Sequence, residues 1–204
     1  MSRTGQEIEV KFYLSDRARL ARRLVELGAR LEHEHIHEVN LRLDTPALEL
    51  TNSGRLLRLR QDTAAHVTFK GPGSLDGGAR LRQELEFIAS DFSIAQALFE
   101  ALGYQVYMLY EKFRTTYLWD GLLVTLDEMP FGNFTEIEGP DGASIQAAAA
   151  RLGLNWERRI LESYTMLFEQ ARIALGLTFR DLSFANFAGV QVPPQAMGAQ
   201  PADA

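Results

Sequence analysis

Cysteine is absent from the 204 residues of this chain, and its absence excludes several kinds of chemistry. Without thiols there is no disulfide, no cysteine nucleophile and no cysteine-ligated zinc, which is compatible with a cytoplasmic protein. No apolar run approaches the length of about 18 residues that a membrane-spanning helix needs. The N-terminus does not combine a basic segment with an apolar one, so we predict neither a signal peptide nor a membrane partner.

Positive charge is also in short supply, since 21 Lys and Arg stand against 27 Asp and Glu and leave a net charge of -6. This balance argues against a general nucleic-acid partner, although a local basic site for a small anion is still allowed. The length fits one domain with a substantial core.

The stretch from Glu7 to Tyr13 alternates between charged and apolar residues. Because side chains alternate across a strand, one face carries charge and the other is apolar. Two carboxylates and an ammonium on one face can hold a divalent cation and an anionic ligand together. An exposed strand face with neighbouring ion pairs is the alternative interpretation. The charged face consists of Glu7, Glu9 and Lys11, and the apolar face of Ile8, Val10 and Phe12.

Later predicted strands repeat this arrangement, with charged residues two apart opposite Leu, Val, Ile and Phe. A closed antiparallel barrel would direct the charged faces into a lumen and leave the apolar faces to be covered by helices. Acidic and basic side chains crowded in such a lumen need a ligand that carries both positive and negative charge. A polyphosphate with divalent cations is such a ligand. The acids on this face are Glu7, Glu9, Glu84, Glu86, Asp127, Glu136 and Glu138; the bases are Lys11, Arg58, Arg60, Lys70, Arg82, Lys112 and Arg114.

Helices are predicted at four places. Ser15-Asp16 caps the first, which ends at Gly28. Ser90-Asp91 caps the second, which runs to about Gly103. Its apolar stripe is predicted to be Ile94, Leu98 and Leu102. The other two helical stretches are predicted around 143–152 and 157–175. Gly71-Pro72-Gly73 and Asp76-Gly77-Gly78 are predicted to form a loop.

Three histidines, His33, His35 and His37, alternate with glutamates. Imidazole binds zinc or nickel well, so a histidine metal site is conceivable. We favour a polar strand or loop, because nothing else in the chain completes such a site.

The ordered set of motifs resembles the CYTH superfamily, the triphosphate tunnel metalloenzymes, over about residues 6 to 170. The motifs are Glu7-x-Glu9-x-Lys11, Asp44-Thr45-Pro46, Leu57-Arg58-Leu59-Arg60, Phe69-Lys70-Gly71, Arg82-x-Glu84-x-Glu86, Lys112-x-Arg114, and Asp127 followed by Gly132-x-Phe134-x-Glu136-x-Glu138. The resemblance implies an α+β fold, in which an eight-stranded antiparallel β-barrel forms the triphosphate tunnel and helices pack outside it.

The resemblance also implies roles for these residues and a Mg²⁺ or Mn²⁺ cofactor. Glu7, Glu9, Lys11, Lys112 and Arg114 would be catalytic. Triphosphate would be bound by Lys11, Arg58, Arg60, Lys70, Arg82, Lys112 and Arg114. The metal would be held by Glu7, Glu9, Asp127, Glu136 and Glu138, while Glu84 and Glu86 would orient basic neighbours or serve a second metal position.

Departures from the family pattern bear on the reaction. Arg42 and Leu43 stand before the Asp-Thr-Pro turn, where the family often has aromatics, and could alter the tunnel mouth or add a basic group. The His-Phe pair that precedes the signature in many bacterial class IV adenylyl cyclases is missing, so we favour hydrolysis of a triphosphate, above all inorganic triphosphate. Adenylyl cyclase, thiamine triphosphatase with Trp119 or Trp156 as its aromatic platform, and a non-catalytic polyphosphate or nucleotide sensor remain alternatives.

Domain boundaries follow from the same reasoning. We expect a tunnel domain over residues 1–175, a C-terminal extension over 176–192 that packs onto the barrel, and a disordered tail over 193–204. The small-molecule triphosphate is the expected partner, and a homodimer is left open.

Overall fold

The computed structural model describes the backbone of residues 3–204 and the side chains from Gly5 onwards, and most of this chain lies in nine β-strands and five α-helices. The strands are β1 (Arg3–Leu14), β2 (Arg30–Asp44), β3 (Leu56–Gln61), β4 (Ala65–Asp76), β5 (Ala79–Ala89), β6 (Gln105–Trp119), β7 (Leu122–Met129), β8 (Gly132–Glu138) and β9 (Arg159–Ile160). The helices are α1 (Arg17–Glu26), α2 (Glu49–Asn52), α3 (Phe92–Ala101), α4 (Gly142–Arg151) and α5 (Tyr164–Leu175).

Strands β1 to β8 form a closed antiparallel ring. They are hydrogen-bonded in the order β5-β4-β3-β2-β6-β7-β8-β1, and β1 pairs with β5 to close the ring. The short strand β9 pairs with β1 at Lys11 and Phe12. Closure leaves no long unpaired edge among the eight ring strands, which removes a common route to aggregation. The predicted eight-stranded antiparallel tunnel is confirmed.

Period-two alternation places apolar side chains outside the ring and charged ones inside. Val10, Phe12 and Val124 point outward and are almost fully buried against α1 and α4. Leu59 and Val67 are covered by α3 on another side. The helices do not cover the whole apolar outer face, since Phe87 on β5 is half exposed.

The predicted helix caps are present. The Asp16 side chain accepts a hydrogen bond from the Arg19 amide, and the Asp91 side chain accepts one from the Ile94 amide. Each aspartate therefore satisfies one of the free amides of a helical first turn, as the sequence predicted.

The predicted apolar stripe of α3 faces solvent, contrary to expectation. Ile94, Leu98 and Leu102 are 69%, 58% and 66% exposed. The helix packs instead through Ala95, whose small side chain allows a close approach to Leu59 and its neighbours on β3 and β4. Helical periodicity identified the helix correctly but chose the wrong face, because an alanine contributes little to an apolar pattern.

Two further expectations need correction. The helix predicted over 157–175 begins only at Tyr164, because a 3-10 turn at Trp156–Arg158 and strand β9 come first. The loop predicted at Gly71-Pro72-Gly73 lies within β4, where a register shift between Lys70 and Gly73 accommodates the extra residues.

The C-terminal residues pack back onto the ring, so the expectation of a disordered tail is wrong. Met197 and Ala202 are 1% exposed, and a 3-10 turn covers Pro194–Met197. Asp203 accepts hydrogen bonds from the amides of Ser15 and Asp16 at 2.7 and 2.8 Å. Composition alone suggested disorder, but a few apolar side chains and one carboxylate find partners made by distant parts of the chain.

The extension before this tail also packs onto the ring. Leu182 is fully buried, and its amide and carbonyl bond to the backbone of Leu109 and Glu111 at the edge of β6. In the part of the chain that the structure describes, no helix is long and apolar enough to cross a membrane.

Candidate functional site

A charged cavity of about 330 Å³ runs through the ring. Its volume lies in the range of pockets that take small ligands. Segment 161–165 lies across one end of the cavity, and the opposite end is lined by residues such as His33, Thr63 and Leu123. Every predicted site residue except Asp127 lines the cavity; these are Glu7, Glu9, Lys11, Arg58, Arg60, Lys70, Arg82, Glu84, Glu86, Lys112, Arg114, Glu136 and Glu138.

Asp127 lies behind the cavity wall and holds two of the cations in place. It is fully buried, and its Oδ1 accepts from Arg114 Nε at 2.6 Å. Its Oδ2 accepts from Lys112 Nζ at 3.1 Å and from the Tyr164 hydroxyl at 2.7 Å. Both oxygens are thus occupied by donors of this chain, and Asp127 differs from the other predicted metal ligands in not lining the cavity.

Glu38 is a site residue that sequence reasoning did not single out. It is 3% exposed, and its carboxylate lies 3.5 Å from Lys112 Nζ and 3.9 Å from Arg114 Nε. Burial raises the pKa of Glu38, but Lys112, Arg114 and more distant arginines lower it further, to about 2. A signal for Glu38 was present in the sequence, because Glu38 and Arg42 are four residues apart and therefore share a strand face. The segment was instead interpreted from the histidines beside Glu38.

Tyr164 is a second residue that sequence reasoning missed. Its ring lies under the Lys11 ammonium at 4.3 Å, an arrangement typical of a cation–π contact. The pKa of its hydroxyl is raised well above the usual range by burial and then by Asp127 and Glu136, so the hydroxyl stays protonated and donates to Asp127. The first residue of α5 therefore supports the basic side chains of β1 and β6.

Lys70 links β4 to the carboxylates of β1 and β5. Its ammonium contacts both oxygens of Glu7 at 2.7 and 2.6 Å, and Glu84 at 3.2 Å. Burial lowers the pKa of Lys70, yet these carboxylates raise it by more, so the side chain stays charged. Glu84 thus orients a basic neighbour, which is one of the two roles expected for it.

Glu86 lies close to several basic side chains, towards the end of the cavity opposite segment 161–165. It accepts a hydrogen bond from the Thr68 hydroxyl at 2.7 Å and lies 3.6 Å from Arg58 and 3.8 Å from Arg60. His66 Nδ1 lies 3.4 Å from the same carboxylate. Four strand positions therefore converge on one acid, and the arrangement keeps Arg58 and Arg60 directed into the cavity.

Glu7 and Glu9 carry an excess of negative charge. Burial raises the pKa of both, and each neighbouring carboxylate adds to this, with Glu136 among those acting on Glu9. Glu9 lies directly opposite Glu138 on β8, while Glu136 pairs with Lys11 at 3.0 Å. A divalent cation would relieve this crowding, and carboxylate oxygens are the ligands that Mg²⁺ and Mn²⁺ prefer.

These carboxylates fit a cation that is shared with a ligand. Among the described residues, no three acidic or histidine side chains converge closely enough to enclose a metal ion by themselves. Mg²⁺ is commonly held by one or two carboxylates, with phosphate oxygens and water completing its shell. The donor set therefore suits a metal that arrives with a phosphate ligand.

The three histidines of β2 do not converge on one site. His33 lines the cavity mouth, whereas His35 and His37 both pack on Phe113 outside it, with ring distances of 4.4 and 4.8 Å. Register shifts on both sides of His33 and the positive φ of His35 break the alternation. The favoured interpretation as a polar strand is confirmed.

The CYTH domain model matches residues 5–165, which is most of the chain, so the chain belongs to the CYTH family. A comparison with curated proteins gives no match.

The chain matches solved structures of similar fold over nearly all of the length of each solved chain. The Pyrococcus horikoshii protein PH1012 has a TM-score of 0.65 and 27% identity, over 78% of this chain and 96% of that one. A candidate adenylate cyclase from Vibrio parahaemolyticus has a TM-score of 0.70 and 22% identity, over 82% and 99%. A candidate adenylyl cyclase from Hippeastrum, described as having a dominant triphosphatase activity, has a TM-score of 0.58 and 19% identity, over 95% and 100%.

Proposed function

We propose that this protein is a divalent-metal-dependent triphosphatase that removes the terminal phosphate of inorganic triphosphate. The observation that carries the proposal is the composition of the cavity wall. It presents cations and carboxylates on neighbouring strands, and its described lining has no Phe or Trp, its tyrosines being Tyr110 and Tyr164. The hydroxyls of both tyrosines are engaged by Arg58 and Asp127. A purely phosphate ligand needs the charges and nothing else.

The roles expected for the basic residues agree with this placement. We propose that they bind phosphate oxygens through charge-assisted hydrogen bonds. Lys112 and Arg114 are held rigidly by Asp127 and are suited to stabilise the charge that develops on the phosphoryl group in transfer. The set consists of Lys11, Arg58, Arg60, Lys70, Arg82, Lys112 and Arg114.

The acidic residues divide into two groups. We propose that Glu7, Glu9, Glu136 and Glu138 hold Mg²⁺ or Mn²⁺, and that Asp127 positions Lys112 and Arg114 in place of its expected role as a ligand. When bound, the metal would neutralise phosphate charge and help to orient the water for in-line attack. Glu7, Glu9 and Lys11 line the cavity wall at this proposed metal position. We therefore retain the catalytic role proposed for these three residues.

Family membership supports an enzyme, since CYTH proteins are triphosphatases or cyclases that use divalent metals. The Hippeastrum protein of similar fold is described as a dominant triphosphatase, which is consistent with hydrolysis. A cyclase or thiamine triphosphatase would want an aromatic surface for its organic group. Trp119 is 3% exposed in the core and Trp156 packs on Phe12, so neither provides that surface in the cavity.

Glu9→Gln tests the proposal. We expect turnover of inorganic triphosphate with Mg²⁺ or Mn²⁺ to fall at least about 100-fold, which corresponds to about 2.7 kcal/mol of transition-state stabilisation. The melting temperature should stay equal or rise, because the folded state no longer buries a crowded negative charge. Phosphate release and thermal unfolding are measured together, with Glu157→Gln, at a surface position, as the matched control.

An assay with four phosphate compounds distinguishes the candidate reactions. Inorganic triphosphate, ATP, thiamine triphosphate and pyrophosphate are each supplied with Mg²⁺ or Mn²⁺, and both phosphate and cyclic AMP are measured. Release of cyclic AMP from ATP, or no turnover despite strong thermal stabilisation by triphosphate, would contradict the proposal in favour of a cyclase or a sensor.

A further inference from the structure

The cations of the cavity differ in whether they have a carboxylate partner. Six of them have a carboxylate oxygen within 4 Å: Lys11, Arg58, Arg60, Lys70, Lys112 and Arg114. Among the residues whose side chains the structure describes, no carboxylate lies that close to Arg42, Arg80 or Arg82, which also line the cavity. Arg82 was predicted as a phosphate ligand, but Arg42 and Arg80 were not.

Arg42 and Arg80 lie beneath segment 161–165, and Arg82 lies beside Arg80 next to Gly73. Arg80 donates to the Leu161 carbonyl at 3.1 Å, and Arg42 donates to the Thr165 hydroxyl at 2.6 Å. Arg82 donates from Nε and Nη2 to the Gly71 carbonyl at 3.0 and 2.9 Å. The three therefore surround the covered end of the cavity, away from the mouth at His33 and Thr63.

Their mutual repulsion is visible at Arg82, which is 6% exposed. Burial and then Arg80 lower the pKa of Arg82 to about 10, Arg42 contributes in the same direction, and the opposing effect of Glu7 and Glu9 is too small to restore it. Carbonyl and hydroxyl oxygens accept hydrogen bonds but do not cancel charge. Buried cations without an ionic partner are costly, and an anion at this end would offset that cost.

Each guanidinium keeps donors for such an anion. A guanidinium carries five N–H groups, and the hydrogen bonds of Arg80 and Arg82 leave the Nη1 of Arg82 and most donors of Arg80 free of partners among the described residues. The α5 N-terminus begins at the same end, and its dipole adds partial positive charge. Planar guanidinium groups bind phosphate oxygens bidentately, which makes a phosphoryl group the fitting occupant.

We propose that Arg42 and Arg80, next to the triphosphate ligand Arg82, form an additional subsite for a terminal phosphoryl group, so that the cavity takes a linear inorganic polyphosphate longer than triphosphate, end first. This inference rests on the proposed function and extends its substrate class. From Arg80 to Glu86 the charged lumen face of β5 extends over six residue steps, or about 20 Å of strand. That length exceeds an extended triphosphate and leaves room for a further phosphate at the covered end.

Calorimetric titration of the full chain with tripolyphosphate and tetrapolyphosphate tests the subsite. The titration is made in EDTA, so that only the chain's own cations act. We expect the wild-type protein to bind tetrapolyphosphate about 10-fold or more tightly than tripolyphosphate, as charged hydrogen bonds of ordinary strength predict. Arg42→Gln and Arg80→Gln should each bring this ratio close to one, and Arg42→Lys should restore part of it.

Arg172→Gln, on the outer face of α5, is the matched control and should leave the ratio unchanged. Circular dichroism and the melting temperature show whether each variant is folded. An equal loss of affinity for both anions would overturn the subsite, because the arginines would then belong to the triphosphate site. An unchanged ratio would also overturn it and leave Arg42 and Arg80 as supports of segment 161–165.

The outcome is separable from that of the proposed function. A length preference that depends on Arg42, in a protein that hydrolyses neither anion with Mg²⁺ or Mn²⁺, would uphold the subsite and contradict the triphosphatase. Hydrolysis of triphosphate by a protein that binds both anions equally well would uphold the triphosphatase and contradict the subsite.

Discussion

Single residues in this protein are tied to others across the ring, and Asp127 is the clearest case. The sequence places it among the acids of the lumen face, which made a metal ligand the natural expectation. The structure surrounds it with Arg114, Lys112 and the Tyr164 hydroxyl. Its negative charge is therefore used to fix two cations, and the carboxylates left for a metal are those of β1 and β8.

Glu38→Gln is predicted to destabilise the protein by about 3 to 5 kcal/mol at pH 7, because it leaves the buried Lys112 with less of its ionic partnership. The folded pKa of Glu38, about 2, lies below its usual value of 4.5. Its contribution is therefore complete above about pH 4.5 and is lost as the pH falls towards 2.

Denaturant unfolding at several pH values between 2 and 7 measures this contribution. The variant should differ most from the wild-type protein at neutral pH, and the two should converge as the medium becomes acidic. A difference in stability that does not change with pH would show that the carboxylate charge is not what Glu38 contributes.

Secondary-structure elements were largely predictable, but their orientation was not. Alternating residues marked the strands of the lumen wall, and Asp16 and Asp91 marked the starts of α1 and α3. The buried face of α3 was assigned wrongly because its contact is made by Ala95. Local patterns report the period of an element, whereas the surface it meets belongs to other strands.

Leu98→Ser is predicted to change the free energy of unfolding by less than about 0.5 kcal/mol, because the side chain faces solvent. Leu59→Ala, on β3 beneath the same helix, should cost about 2 to 5 kcal/mol, since Leu59 is fully buried. Urea unfolding measures both. A large cost for Leu98→Ser that grows with protein concentration would show that the stripe is buried between two copies, and would support the homodimer that the sequence left open.

The whole molecule is held closed by contacts between its ends. β1 completes the ring by pairing with β5, and Asp203 returns to bond the Ser15 and Asp16 amides at the start of α1. Segment 161–165 covers one end of the cavity through contacts with β1, β2, β5 and β7. The cavity is therefore a property of the complete fold and not of any single motif.

Asp203→Asn is predicted to lower the free energy of unfolding by about 1 to 3 kcal/mol, because it weakens the charged hydrogen bonds that the buried Asp203 carboxylate accepts from two amides. Asp120→Asn is the control, since Asp120 and its partner Arg151 are both more than half exposed, at 56% and 51%. An exposed pair of this kind contributes about 1 kcal/mol or less. Thermal unfolding compares the two, and equal melting temperatures for both variants would contradict the role given to the folded-back tail.

The sequence by itself determined the strands, their charged and apolar faces, the helix caps and the family. These follow from periods of two and 3.6 residues and from side chains acting on their own neighbours in the chain. Only the tertiary structure decided the partners of each charge: Asp127 with Arg114, Lys70 with Glu7, and Arg42 with no carboxylate within 4 Å among the residues whose side chains are described. Ring closure brings together residues far apart in sequence, and no local pattern specifies which of many possible ion pairs the register will form.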